Sequence, residues 1–260
     1  MRILYPFNPL NEREADDPWR DECRLLKSKG VDCSLFDFDT LPFGEFTPRP
    51  GIDNKETVLY RGWMLTPEKY GELISMIEAS GASMITSCGT YALCHHLPNW
   101  YESCLEYTAV SRFFADDCDL LSNVASLKWD RYFVKDFVKS NSNERGSIAS
   151  SSEEVLEIVE LIRTYRGDIE GGVVVRQVEN YVEGSERRYF VFNGMAYSAD
   201  GDIPALVHAI ASRITAPFFS VDIVQRDDGQ LRLVEIGDGQ VSDKKEWRTE
   251  NFVSMILGNI

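Results

Sequence analysis

Between Gly171 and Val241 the chain sets ionisable side chains inside its most apolar runs. Arg176 follows the valines of Gly172-Val-Val-Val-Arg-Gln177, and Arg188 opens Arg188-Tyr-Phe-Val-Phe-Asn193. Asp222 lies within Ser220-Val-Asp-Ile-Val224, and Glu235 within Leu231-Arg-Leu-Val-Glu-Ile236. Short runs rich in Val, Ile, Tyr and Phe, bounded by Gly, Asp and Asn, read as strands. A charge in such a strand is costly unless it meets a counter-charge, a metal or a charged ligand. Any fold open to this chain has to supply those partners.

Upstream, strands are expected at Met1–Tyr5, Val31–Phe38, Thr57–Arg61 and Met84–Ser87, with helices at Trp19–Lys29 ended by Gly30 and at Pro67–Ser80 closed by Gly81. That alternation predicts βαβ units and a small parallel sheet over the first ~110 residues. A compositional break follows at Asp116-Asp-Cys-Asp119. Arg131–Lys139 then reads as a strand and Ser140–Ser152 as a small-polar loop. Ser151 or Ser152 opens a helix with Val155, Ile158, Val159 and Ile162 on one face, ending near Arg166-Gly167. Further elements are a helix at Ile203–Ile214, a hairpin over Ser220–Gly237 turning at Asp227-Asp-Gly229, and a helix at Glu246–Leu257.

A formal net charge of −15 argues against nucleic acid and anionic membranes as partners, because both repel an acidic surface. No apolar run approaches the ~20 residues that span a bilayer. Met1-Arg-Ile-Leu-Tyr-Pro6 is too short for a signal peptide, so a cytoplasmic protein is expected. The six cysteines, Cys23, Cys33, Cys88, Cys94, Cys104 and Cys118, lack C-x-x-C spacing and are expected as free thiols.

Each candidate residue has two readings. Asp222 and Glu235 on paired strands can converge on Mg2+, which prefers oxygen ligands, or be neutralised by Arg226 and Arg232. Lys135 and Lys139, four apart and so on one face of an extended strand, can hold phosphate beside the Ser140 loop or stay solvated. Arg176 and Arg188 offer planar forks to an anion, or pair with Glu179 and Glu186. His95-His96 lacks a second ligand pair, and adjacent histidines on one element point different ways, so with Leu93 and Leu97 they read as core packing rather than a zinc site. Ser87-Cys88-Gly89 reads as a structural turn. Arg61 and Trp63 either line an acceptor pocket or are a packed Trp beside a surface Arg.

The phrases Phe133-Val-Lys-Asp-Phe-Val-Lys-Ser140, Glu170-Gly-Gly-Val-Val-Val-Arg176, Glu186-Arg-Arg-Tyr-Phe-Val-Phe-Asn-Gly194 and Val234-Glu-Ile-Gly-Asp-Gly-Gln-Val-Ser242 resemble motifs of the ATP-grasp superfamily, as does Tyr60-Arg-Gly-Trp-Met64. The nearest likeness is to the small Arg- and Lys-rich clade of phage and bacterial proteins first described as a domain of unknown function. The resemblance implies an α/β chain with an N-terminal parallel-sheet pre-ATP-grasp domain over residues 1–118. It also implies two α+β lobes sandwiching ATP, a small lobe over 119–180 with a phosphate-covering loop and a large lobe over 181–260.

By the same resemblance, Lys135 contacts phosphate and the adenine edge, with Lys139 and Ser140 leading into the loop that covers the phosphates. Gln177, Val178 and Glu179 would present hinge groups to adenine. Gly184, Glu186 and Arg188 keep the order of an acid-x-Arg motif, and Arg176 and Arg188 would serve the transferring phosphate. Asp222 and Glu235 match the Mg2+ carboxylates. Many relatives carry Asn two residues after the second acid, where this chain has Gly237 and then Asp238, so Asp238 takes over as ligand or one Mg2+ is held more weakly. The implied activity is ATP-dependent ligation of a small-molecule or peptide carboxylate to an amine, through an acylphosphate with release of ADP and phosphate. A kinase using the same site and a non-catalytic nucleotide-binding module are the alternatives.

Overall fold

The structure, a computed structural model, describes every residue except 117, 118 and 141–143. The thiol of Cys118, part of the break at Asp116–Asp119 and the start of the loop after Ser140 therefore lie outside the described residues.

The chain opens with β1 (Arg2–Asn8), β2 (Asn11–Ala15), α1 (Arg20–Ser28), β3 (Cys33–Phe36), β4 (Thr57–Tyr60), α2 (Pro67–Ala79), β5 (Ser83–Met84), α3 (Cys88–His95) and α4 (Leu97–Tyr101). It continues with β6 (Ser111–Phe114), α5 (Leu120–Leu127), β7 (Tyr132–Asp136), β8 (Ile148–Ala149), α6 (Ser152–Arg166) and β9 (Val173–Gln177). Last come β10 (Arg187–Phe192), β11 (Met195–Tyr197), α7 (Ala205–Ala211), β12 (Phe218–Gln225), β13 (Leu231–Asp238) and α8 (Thr249–Leu257). Caps set the clearest boundaries. Thr66 accepts the Lys69 N–H ahead of Pro67 to open α2, and Ser151 accepts the Glu154 N–H to open α6, which ends at Gly167. Both helices fall where the sequence predicts them.

Two compact units form. The first comprises Met1–Cys94, Arg187–Val221 and Ile236–Ile260; the second comprises His95–Glu186 and Asp222–Glu235. This grouping is discontinuous, unlike the consecutive segments 1–118, 119–180 and 181–260. The reason is that β12 and β13 each contribute residues to both units. These strands belong to a sheet ordered β11-β10-β12-β13.

In the first unit β1 pairs in parallel with β3 and β4, and β4 with β5, as the βαβ pattern predicts. The antiparallel β2 was not legible: its Asn-Glu-Arg-Glu-Ala sequence is mostly exposed and has no apolar face. Ile3, Tyr5, Leu26, Phe190, Phe218, Phe252 and Ile256 share one buried core, and Leu4, Val58, Tyr60, Tyr70, Leu73 and Ile77 form another.

In the second unit an antiparallel sheet runs in the order β6-β9-β7-β8. Tyr132, Val134, Val173 and Val175 join Leu120 and Val124 of α5 and Val155, Ile158 and Ile162 of α6 in one core. Side chains alternate along a strand, so these residues define the helix-covered face of the sheet. Everything at the intervening positions stands on the opposite face. Gly171 and Gly172 lead into β9 with φ of 76° and 141°, and a Cβ on either would meet the Phe137 ring at 3.0 Å or closer. The two glycines thus let Phe137 lie against the backbone.

Among the described residues no helix is long and apolar enough to cross a membrane. The five described cysteines are free thiols.

Candidate functional site

Lys135 pairs across the sheet with Val174, and Phe133 with Arg176. Directly opposed residues share a face, as do residues two apart on one strand. Lys135 and Arg176 therefore stand together on the face of the β7–β9 pair that the helices leave uncovered. Both are buried, at 5% exposure each. Lys135 Nζ donates to Oε1 of Glu235 at 2.8 Å. Arg176 Nη1 donates to the Val234 carbonyl at 2.8 Å and Nη2 to Thr108 Oγ1 at 2.5 Å. Its Nε is buried without a partner. Neutral oxygens thus orient the guanidinium, and no described carboxylate forms an ion pair with it. Burial pulls its pKa below the ordinary arginine value, against the more distant charges of Glu235 and Glu179.

Of the two readings for Arg176, pairing with Glu179 does not occur. Glu179 accepts from Arg232 Nε at 3.0 Å and lies 3.6 Å from Arg226. Those two arginines are accordingly not the neutralising partners of Asp222 and Glu235. Thr108, absent from the sequence candidates, donates its hydroxyl to the Leu233 carbonyl at 2.8 Å while receiving Arg176. No local pattern marks it, because its partners lie far along the chain.

Asp222 is buried on β12, and Glu235 on β13 has a side chain 37% exposed. Both offer the hard oxygen donors that Mg2+ takes, and Glu235 has room to turn. Asp238, three residues on, projects from the opposite face of β13. There its Oδ1 accepts the Gln240 backbone N–H and side-chain amide, both at 3.0 Å, and its Oδ2 is buried without a partner. Burial raises Asp238 to about 7, against the hydrogen bonds of Gln240 and the charge of Arg61. Gly237 is bare for a steric reason: a Cβ there would lie 2.8 Å from Ser220 Oγ and 3.0 Å from Ser242 Oγ, hydroxyls bonded to each other at 2.8 Å.

Other sequence candidates fall differently. β7 ends at Asp136, whose Oδ1 accepts the N–H groups of Val138 and Lys139 at 2.8 and 2.5 Å and turns the chain. Lys139 is thus not on an extended strand with Lys135, and both Lys139 and Ser140 are exposed. In the segment expected to face adenine, Gln177 donates its N–H to the Val110 carbonyl and Val178 to that of Arg131. Arg188, in the first unit, bonds Asp243 Oδ1 at 2.5 Å and the Asp243 carbonyl at 3.1 Å, which makes Asp243 an acidic partner the sequence did not point to. Glu186 is exposed. Arg61 is neither a surface residue nor open to a pocket: it is 1% exposed and grips Glu22 through Nε and Nη2 at 2.9 and 3.1 Å. Trp63 is 44% exposed, sets its ring edge-on to Trp19 and bonds Asp16.

The histidines also depart from expectation. His95 ends α3 and His96 is the extended residue that caps α4, so the break between the helices lets adjacent imidazoles converge. Their Nε2 atoms lie 2.7 and 3.3 Å from one oxygen, Oε1 of Glu170. Burial alone would push Glu170 up, but the two histidines hold it down at about 2. Ser87-Cys88-Gly89 is the entry to α3, with Ser87 accepting the Thr90 N–H.

A family model for the ATP-grasp domain, R2K clade family 3, matches residues 120–256. No curated protein matches. Among solved structures, a RimK domain protein ATP-grasp from Sphaerobacter thermophilus is similar at 14% identity and TM-score 0.66, covering 100% of this chain and 98% of that one. D-alanyl-alanine synthetase A from Vibrio cholerae O1 biovar eltor is similar at 12% identity and TM-score 0.64, covering 100% and 98%. The macrocyclase MdnC bound with precursor peptide MdnA, from Microcystis aeruginosa, is similar at 10% identity and TM-score 0.62, covering 99% and 100%.

Proposed function

The chain belongs to the ATP-grasp proteins, R2K clade family 3, and has their mixed α/β fold with an N-terminal parallel sheet as in a pre-ATP-grasp domain; from that premise we propose that it is an ATP-dependent carboxylate–amine ligase. A substrate carboxylate takes the γ-phosphoryl group of ATP, releasing ADP. An amine then attacks the acylphosphate, forming the amide and releasing phosphate. The observation that supports this most is Arg176, a buried guanidinium oriented by Val234 and Thr108 but given no carboxylate.

Phosphoryl transfer asks little covalent chemistry of a protein and much electrostatic positioning. Arg176 brings a permanent charge whose orientation is fixed before a phosphate arrives. Lys135, on the same face, adds a second cation once Glu235 turns away from it. Asp222 and Glu235 would hold Mg2+, which when bound screens phosphate charge. Adenine would meet the carbonyls of Gln177 and Val178 and the Glu179 backbone, since the first two N–H groups are already bonded. Lys139 and Ser140, both exposed, would lie beside the phosphates. In the first unit Arg188 is held by an Asp243 side chain that is 76% exposed, a partner an anionic group can replace. Glu186, two residues before it, would keep its expected place near the nucleotide.

The test is incubation with Mg·ATP and pooled amino acids, peptides and cell extract, scored for nucleotide products and for a condensed mass. ADP with phosphate and a new amide is the expected result. AMP with pyrophosphate overturns the acylphosphate route, a stable phosphorylated product without amide makes the protein a kinase, and a rise in Tm without turnover makes it a binding module.

A further inference from the structure

We propose that His95, His96 and Glu170 form a site for a borderline transition-metal dication, Zn2+ being the reference case. The chain has three histidines, and two of them meet here. Among the described residues this is the group of His, Cys, Asp or Glu whose ligand atoms all lie within 4.8 Å of one another.

Two neutral imidazoles and one carboxylate are a donor set that favours Zn2+, Co2+ or Ni2+ over Mg2+, which prefers oxygen alone. Zinc–nitrogen bonds of about 2.0–2.1 Å set tetrahedral ligand atoms roughly 3.3 Å apart. The His96–Glu170 separation already has that value at 3.3 Å, and the His95–Glu170 contact of 2.7 Å has to open by roughly half an ångström. The two imidazole nitrogens, within 4.8 Å of each other, complete the set by turning toward a common centre.

The surroundings fix the ligands. The Glu170 N–H donates to Asp136 Oδ2 at 3.4 Å, and the Glu170 carbonyl accepts the Phe137 N–H at 3.2 Å. The Phe137 ring, seated against Gly171 and Gly172, meets the His96 ring edge-on at 5.8 Å between centroids. These contacts hold the backbone that carries Glu170 and the ring of His96 in place. The side chain of His95 is 1% exposed, whereas those of His96 and Glu170 are 19% and 23% exposed, which leaves an ion a route in and a coordination position for water or another donor.

The experiment titrates the chelator-stripped full chain with Zn2+ alone in a large excess of Mg2+, and separately with Co2+ followed by its visible d–d absorption. One equivalent of tightly held Zn2+ is expected, with Co2+ bands free of thiolate charge transfer. His96→Ala and Glu170→Gln should each weaken binding at least tenfold, while His208→Ala leaves it unchanged. Failure of the wild-type chain to take up Zn2+, or equal uptake by the His96→Ala/Glu170→Gln double variant, reduces the cluster to a hydrogen-bonded clamp and overturns the proposal. Should the variants unfold, nitrogen NMR of the folded wild type decides: two imidazole nitrogens shift on metal addition, or the site is wrong.

Discussion

Two guanidinium groups, one in each unit, are buried almost equally and treated oppositely. Arg61 in the first unit is clasped by both oxygens of Glu22, and its Nη1 reaches the carbonyls of Gly239, Gln240 and Ser242 at 2.6, 3.1 and 3.1 Å. The Phe252 ring lies 4.7 Å from its central carbon. Burial would lower its pKa, yet the Glu22 charge and hydrogen bonds carry it above the ordinary arginine value. Arg176 in the second unit has two neutral acceptors, one orphan nitrogen and a lowered pKa. Burial alone therefore says little about use; the counter-charge does. A cation with its acid in place is a fastener, and one held ready without an acid is open to an anion.

The sharpest way to break this contrast is Arg61→Met. It takes the guanidinium from the fully buried Glu22 carboxylate, leaving it the Tyr5 hydroxyl at 2.9 Å and the Lys244 ammonium at 3.7 Å, and the expected loss is about 3 kcal/mol in urea unfolding. Simultaneous Glu22→Leu should restore much of it. Asp238 supplies an acidic counterpart. Its folded pKa of about 7 lies above the ordinary 3.8, so the native state keeps a proton that the unfolded chain releases. Its contribution is complete below about pH 4 and lost as pH rises through about 7, a decline on the order of a few kcal/mol. Urea midpoints across that range should show the slope in wild type and not in Asp238→Asn.

Arg176→Met should cost only about 1–2 kcal/mol, the scale of acceptors left unbonded. It should abolish the rise in Tm given by Mg·ATP; a normal rise would remove Arg176 from the nucleotide. The smallest effect belongs to Glu235→Gln. The amide oxygen can still accept from the buried Lys135 ammonium, and the acid it replaces is more than a third exposed, so stability should move by about 1 kcal/mol, while the Mg2+ dependence of nucleotide binding weakens clearly.

Much of the fold was legible because its signals are local. The cap at Ser151, Pro67 in the first turn of α2, the stop at Gly167 and the apolar stripe of α6 each sit within a turn of the boundary they set. The charged positions on β7, β9, β12 and β13 were legible too, since a charge in an apolar strand is visible as a pattern. Their partners were not. Glu22 is 39 residues from Arg61, and Thr108 is 68 from Arg176, separations at which no periodicity informs. The convergence of His95 and His96 was hidden by a helix break between consecutive residues, and the turn at Asp136 by a strand-like sequence that outlasts the strand.

The bare Cα of Gly237 also keeps a hydrogen bond between two other residues in place. Ser220 and Ser242 occupy the space a side chain there would need, so an introduced asparagine meets two hydroxyls and displaces their bond. A side chain at 237 fits once the two hydroxyls rotate away from it. The glycine thus preserves the Ser220–Ser242 bond, and a side chain at 237 would sacrifice it at a cost on the order of 1 kcal/mol.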